Sequence, residues 1–276
     1  MSLYVKTANG AENIGQLYVK TTTGAEPLNS LYVKTANGAE LVWTGQITGR
    51  AYINVSATPN IRVYSMNTLA LICTYTVNYK SLGQNYSLAA LGQRLFALSQ
   101  YVPSGQSKAD IFEVNPRNMA IINSGSITPA APAAGTTWIG GNSSALYAGI
   151  LNAPIYVLAK INPDTLANIG SVSLSGAYGY HNHIPTGGIG TQILVGGVSA
   201  VGGVTYLVEY HATGAIQRIV LNKVAGSALG DTDGQHILAI TETNRQVCSK
   251  VKYSEFVVMG NITDLPAAAT NPAVIK

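Results

Sequence analysis

Tyr156-Val157-Leu158-Ala159-Lys160-Ile161-Asn162-Pro163-Asp164-Thr165-Leu166-Ala167-Asn168-Ile169-Gly170-Ser171-Val172 is the stretch that decides the fold. Two short strand-like runs flank Asn162-Pro163-Asp164-Thr165. That tetrapeptide turns for a physical reason: proline presets φ, and the asparagine side chain bonds the backbone just downstream. The same strand–turn–strand arrangement recurs with turns at Tyr64-Ser65-Met66-Asn67-Thr68-Leu69, Val114-Asn115-Pro116-Arg117-Asn118-Met119, Tyr210-His211-Ala212-Thr213-Gly214-Ala215 and Val251-Lys252-Tyr253-Ser254-Glu255-Phe256. The chain therefore repeats a unit of roughly 40–50 residues, the length of a propeller blade.

Working outward, a further strand precedes each pair: Arg50–Val55, Arg94–Ser99, Ala145–Ile150, Gln192–Gly197 and His236–Thr241. A fourth, innermost strand is expected at Tyr86–Leu91, Thr136–Gly140, Tyr180–Ile184 and Gly226–Leu229. For the first unit, either Leu41–Thr44 or the C-terminal Pro272–Ile275 supplies it. A twisted four-stranded sheet with two apolar faces cannot bury both alone, whereas stacking sheets radially buries both and leaves short edges. Residues 46–276 thus read as a five-bladed β-propeller in an all-β chain. A β-sandwich or a solenoid is the alternative with the same strand count.

A second repeat fills residues 1–45. Leu3-Tyr4-Val5-Lys6-Thr7 returns as Leu17-Tyr18-Val19-Lys20-Thr21 and Leu31-Tyr32-Val33-Lys34-Thr35, each running on to Gly-Ala-Glu. Asn9-Gly10 and Asn37-Gly38 are strong signals for two-residue type I′ turns, with Thr23-Gly24 weaker, so three β-hairpins in series are predicted. By alternation, Leu3 and Val5, Leu17 and Val19, and Leu31 and Val33 form one apolar side in each copy. A lone hairpin is marginal in water, so the three must pack on each other, on the main domain or on partner chains. These residues are expected to mediate assembly, through sister chains in a homo-oligomer or through another protein, with packing on the propeller as the alternative.

Composition narrows the function classes. Hydrophobic residues make up 47% of the 276 and charged residues 10%, which argues against disorder. No apolar run is long enough for a membrane span. The start, Met1-Ser2-Leu3-Tyr4-Val5-Lys6, lacks the basic and apolar regions of a secretory signal, so the chain is expected to act in the cell that makes it or to leave with a virus particle. Net charge is +4 with scattered basic residues, and no nucleic-acid patch stands out. Cys73 and Cys248 suit buried free thiols rather than a disulfide framework.

Few residues suggest chemistry. A sugar-cleaving propeller needs carboxylates on inner strands, and only Asp231 and Asp233 lie near one. Gly230-Asp231-Thr232-Asp233-Gly234 reads as a polar turn, or as a partial calcium loop. His181 and His183 share a strand face and read as polar lining of the ring's mouth, with no third metal ligand in sight. Trp138 reads as core, or as a platform for a sugar ring. No nucleophile elbow or phosphate loop is present. No catalytic residue, metal or cofactor is therefore expected.

The Leu-Tyr-Val-Lys-Thr-x-x-Gly repeats resemble short segments of bacteriophage tail and other virion proteins. The third copy, Tyr32-Val33-Lys34-Thr35-Ala36-Asn37-Gly38 leading to Trp43, comes nearest. The His181-x-His183 pair is similar to iron-binding elements of trimeric phage fibres, over two residues only. The resemblance implies a non-enzymatic virion protein, made in the host cytoplasm without a signal peptide. Its repeats would contact other virion proteins, and its propeller would be displayed as a tail-fibre or receptor-binding component for a host-surface glycan. A capsid or tail decoration protein without ligand is one alternative; a glycan-binding lectin or sugar-cleaving propeller is the other.

Overall fold

The computed structural model is all-β, with strands and turns and no helix among the described residues. Those residues are the strands named below together with positions 49, 59, 66–70, 77–79, 92–93, 108, 115–120, 142, 144–145, 162–167, 235, 263–265 and 272. The chain divides into two compact units, Met1–Thr48 and Gly49–Lys276.

The first unit is three hairpins: β1 (Tyr4–Thr7) with β2 (Gly10–Asn13), β3 (Leu17–Thr21) with β4 (Gly24–Leu28), and β5 (Ser30–Thr35) with β6 (Gly38–Thr44). Each is a separate two-stranded sheet. Their registers coincide: Val5 faces Glu12, Val19 faces Glu26 and Val33 faces Glu40, while Thr7, Thr21 and Thr35 face Gly10, Gly24 and Gly38. This corrects the expected turns by one residue. The glycine is the first paired residue of the return strand, and residues 8–9, 22–23 and 36–37 lie between the strands. The middle copy has no asparagine yet keeps the register, so the shared glycine and the strands set it rather than the Asn-Gly dipeptide. Leu3 lies outside the described residues.

The second unit is a β-propeller whose described residues form five antiparallel sheets. The first contains β7 (Arg50–Val55), β8 (Asn60–Ser65) and β9 (Leu71–Thr76). The second contains β10 (Tyr86–Leu91), β11 (Arg94–Ser99), β13 (Ala109–Val114) and β14 (Ile121–Ile127), with the short β12 (Tyr101–Val102) leaving to pair with the third. The third contains β15 (Gly135–Gly141), β16 (Leu146–Ile150), β17 (Val157–Ile161) and β18 (Asn168–Ser173). The fourth is β19 (Ile184–Gly187), β20 (Ile193–Val198), β21 (Val204–Tyr210) and β22 (Ile216–Ala225). The fifth is β23 (Leu229–Thr232), β24 (His236–Ile240), β25 (Cys248–Lys252) and β26 (Val257–Ile262). The last strand, β27 (Ala273–Ile275), joins the first sheet beside β7, so that sheet runs β27-β7-β8-β9. In the other sheets the first strand of each set is innermost, and β27, β10, β15, β19 and β23 touch in that cyclic order, β23 meeting β27 again.

Of the two segments expected to complete the first sheet, the C-terminal one does so. Ala273, Val274 and Ile275 face Tyr52, Ala51 and Arg50, and are fully buried. Gly49 extends this seam: its amide donates to the Ile275 carbonyl, and its own carbonyl accepts from Met66 N. It does so at φ +64°, a conformation that favours glycine. Leu41–Thr44 belongs instead to β6. Two other innermost strands need correction. β19 begins at Ile184 and β23 at Leu229, the last residues of the segments expected to form them. Tyr180–His183 and Gly226–Ala228 lie outside the described residues. The partner strand selects the register here: Leu229–Thr232 lies against the apolar run Ile237–Ile240, which overrides the poor strand propensity of glycine and aspartate.

The cores lie between sheets. Ile53, Val55 and Tyr64 of the first sheet pack with Leu238, Cys248 and Ile262 of the fifth. Phe96, Leu98 and Ile111 of the second pack with Ile139, Leu146 and Ile161 of the third. The sheets approach so closely that a Cβ on Gly141 would sit 2.7 Å from the Ala90 carbonyl oxygen. Overpacking of this kind costs about 1–3 kcal/mol. Gly141→Ala is therefore expected to lower the unfolding temperature of the propeller by several degrees in a thermal melt; an unchanged melt would show that the second and third sheets are not in contact there.

Candidate functional site

Two of the sequence-predicted binding residues, Trp138 and Asp231, fall on innermost strands. Trp138 lies on β15 opposite Gly149, and Asp231 lies on β23 opposite Leu238. Asp231 is thus a strand residue rather than part of the expected turn. His181, His183 and Asp233 lie outside the described residues. The structure therefore puts Trp138 and Asp231 on the innermost strands of the third and fifth sheets, with one sheet between them. Among the described residues no three His, Cys, Asp or Glu side chains gather as a metal would require.

What the sequence reading missed is a set of polar clasps between neighbouring sheets. They start from the turns. In three of them the backbone closes identically: the amides of Leu69, Met119 and Leu166 donate to Ser65, Asn115 and Asn162 carbonyls, and the amides of Ser65, Asn115 and Asn162 donate to Ala70, Ala120 and Ala167. The expected asparagine bond is present, with Asn162 Oδ1 accepting from Asp164 N at 2.8 Å and Thr165 N at 3.1 Å. Leu69, Met119 and Leu166 all have φ between 55° and 60°, unusual for non-glycine residues. Met119 and Leu166 are buried; a Cβ on Gly125, one sheet back, would lie only 2.8 Å from Leu166 Cβ. Anchoring of this side chain offsets the local strain.

The turn's second residue presents its carbonyl to the preceding sheet, and each of the three is capped by a different side chain. Tyr52 Oη donates to Pro116 O at 3.0 Å, Arg94 Nη2 to Pro163 O at 2.8 Å, and Lys250 Nζ to Met66 O at 2.6 Å. Tyr75 adds a bond to Arg117 O, and Asn123 Nδ2 one to Asp164 O. Arg94 does most. Its Nε and Nη2 form a fork with both oxygens of the nearly buried Glu113 at 2.7 and 2.9 Å, its Nη1 reaches Asp164 at 2.6 Å, and it covers the Phe96 ring at 5.1 Å. Bidentate pairing of this kind is strong and directional. Glu113 and Asp164 share this one guanidinium as acceptors, a structural use of both carboxylates. The sequence signal was a lone arginine just after the Gly92-Gln93 turn and a glutamate between Phe112 and Val114 in the third strand.

Burial also sets the ionisation of the core. Both cysteines are free, but only Cys248 is buried as expected; Cys73, on the outermost strand of its sheet, is half-buried. Burial pushes the Cys248 thiol up to about 12 and raises the Tyr52, Tyr64, Tyr75 and Tyr79 phenols. Tyr79 packs against Tyr86 and Phe112 with a buried hydroxyl that has no hydrogen-bond partner.

No family model matches the sequence, and no curated protein matches it. Among solved structures the chain is similar to a protein of unknown function from Bacteroides caccae, at 9% identity over 78% of this chain and 73% of that one, TM-score 0.38. It is similar to AztD from Citrobacter koseri, at 9% identity over 82% and 97%, TM-score 0.39. A third is dihydro-heme d1 dehydrogenase NirN in complex with DHE, at 10% identity over 77% and 43%, TM-score 0.36. Likenesses of this degree carry no argument about activity or ligand.

The raised values fix the pH dependence. A group whose folded value lies above its unfolded one stabilises the fold fully below the unfolded value and loses that stabilisation as pH rises through the folded one. For Cys248 the window runs from 9.0 to about 12, and the tyrosines lose theirs above 10.0. Unfolding temperature is expected to decline from pH 9 upward, with Cys248→Ala flattening the first part of the decline. In native protein at neutral pH a thiol reagent should label Cys73 and reach Cys248 only on unfolding; equal labelling of both would contradict the packing.

Proposed function

We propose that this chain is a non-enzymatic virion protein, a tail-fibre or receptor-binding component whose N-terminal hairpins anchor it to a particle and whose propeller is displayed for a host-surface glycan. One observation carries this reading: three near-identical hairpins in tandem, in one shared register. Each is a two-stranded sheet too small to be stable alone, so each needs a covering surface. Strand addition to sister chains or to another virion protein provides one. Three copies of a weak contact in one chain multiply its strength, which suits an anchor. Val5, Leu17, Val19, Leu31 and Val33 on these strands, with Leu3 beside the first, are the residues proposed to make it.

Trp138, on an innermost strand, is the proposed sugar platform, since aromatic faces stack on sugar rings. A binding role fits the carboxylates better than a hydrolytic one: Glu113 and Asp164 are engaged by Arg94, whereas hydrolysis needs an opposed acid and base.

Deleting residues 1–45 is expected to leave a folded propeller that no longer enters particles. Trp138→Ala is expected to weaken saturable binding on a glycan array or to host cells by roughly tenfold, the scale of one lost stacking contact. Normal incorporation of the truncated chain would overturn the anchoring role. Absence of saturable binding would leave a decoration protein without ligand, and turnover of a polysaccharide lost on Asp231→Ala would make it an enzyme.

A further inference from the structure

All the large apolar side chains exposed among the described residues lie in one structural position. They are Leu71, Ile72, Ile121, Ile122, Ile169, Val258 and Met259, at 37–60% exposure. The register shifts at Val63/Tyr64, Glu113/Val114, Lys160/Ile161 and Lys250/Val251 align the four sheets concerned. In that alignment the seven residues occupy the paired place just before the shift (Leu71, Ile121, Val258) and the unpaired place at it (Ile72, Ile122, Ile169, Met259), near the start of the outermost strand. Asn168 takes the paired place in the third sheet, and Val257 precedes the two in the fifth. Scattered exposed apolar residues need no explanation, but a set repeated around a ring does.

These four strands, β9, β14, β18 and β26, are also the outer edges of their sheets among the described residues. Natural edges are blunted with lysine, other charges, proline or a β-bulge. Here the register shift gives each strand a single bulge near its start and leaves the rest of the edge to its side chains. None of the four contains an Asp, Glu, Lys, Arg or Pro, although the chain carries 16 basic and 12 acidic residues. Their other exposed residues are neutral, namely Thr74, Thr76, Ser124, Ser126, Asn168, Gly170, Ser171 and Asn261. The outermost strand of the fourth sheet differs, with Arg218 and Lys223.

We infer that these uncharged outer strands are lateral contact surfaces between copies of this chain, the apolar pair of one propeller packing on that of the next with the free strand edges alongside. The lack of charge disfavours charged partners, and a second copy brings edges of the same uncharged kind. A polyanion, an acidic glycan or a lipid headgroup gains nothing from a charge-free edge, while two such edges meet without repulsion although each chain carries a net +4. Geometry agrees: the pairs are distributed around a ring, where neighbours on several sides cover them and one compact partner does not. A contact centred on one pair is smaller than the roughly 1,200 Å² of a stable interface. Association through one edge is therefore weak, and engagement of several edges reinforces it.

The test is the weight-average mass of the full chain by sedimentation velocity over a wide concentration series, at low and high salt. The wild-type mass is expected to rise with concentration and to be no smaller at high salt. Ile72→Lys/Ile122→Lys, which places like charges on two edges, should move that rise to concentrations higher by roughly tenfold or more. Ile72→Thr/Ile122→Thr, a milder change retaining β-branching, should move it in the same direction with an unchanged thermal melt. A wild-type chain with constant mass throughout, or a concentration dependence shared by both variants, would overturn the inference. Because residues 1–45 can associate by themselves, the readout is the shift between wild type and the two variants, and it holds whether or not the chain belongs to a virion.

Discussion

The structure depends on a shared burial constraint: no sheet of the propeller can cover its own apolar faces. Ile53, Tyr64, Leu238 and Cys248 lie between the first and fifth sheets, and Phe96, Ile111, Ile139 and Ile161 between the second and third. Each of these four sheets therefore shares a core with a neighbour. A linear stack would leave its first and last faces wet. The chain avoids this by bringing its C-terminal strand back to the first sheet, where three fully buried residues, Ala273, Val274 and Ile275, lie beside β7. At about 25 cal/mol per Å² of apolar surface, covering the faces that this strand brings together outweighs the few hydrogen bonds it contributes itself.

Polar contacts then fix the spacing that burial alone would leave loose. Apolar packing is non-directional, whereas the turn carbonyls of Met66, Pro116 and Pro163 meet donors at defined distances. The donors are a lysine, a tyrosine and an arginine from different strands. A backbone carbonyl exists whatever the residue, so the acceptor persists through sequence drift, and any long side chain with a donor at its tip serves. The same logic explains why Glu113 is tolerated at low exposure: its charge is paired in a fork with Arg94, and a buried charge without such a partner costs several kcal/mol.

This division explains what was legible in the sequence. Turn chemistry is local, so Asn162-Pro163-Asp164-Thr165 and its counterparts at Tyr64–Leu69 and Val114–Met119 marked turns, those expected at 211–215 and 253–256 lying outside the described residues. The strands Arg50–Val55, Arg94–Ser99 and Tyr86–Leu91 matched residue for residue. The hairpin repeats were equally plain, although their register was off by one because an Asn-Gly signal outweighed the shared glycine. Innermost strands were harder: β19 and β23 contain Pro185, Gly187, Gly230 and Asp231, and pairing with a neighbour, which is non-local, makes them strands. The clasps were illegible for a related reason, since Tyr52, Arg94 and Lys250 do not occupy equivalent places in the repeat. The outer apolar pairs stood in the open at Leu71-Ile72 and Ile121-Ile122, but only the register shows that they are equivalent and exposed. Of the candidate binding residues, Trp138 was placed on an innermost strand by its apolar surroundings, while Asp231 was assigned to a turn because its type favours one.

The central claim is that a closed ring of mutually buried sheets, sealed by three C-terminal residues, holds the propeller together. Hydrogen exchange on the chain lacking residues 272–276, compared with the full chain, tests it most directly. The account predicts that protection falls in β7 and also in β24 and β25, whose Leu238 and Cys248 share a core with Val274, and that the unfolding transition broadens and moves to lower temperature. Loss of protection confined to β7, with an unchanged transition elsewhere, would show that each sheet is stable by itself and would contradict it.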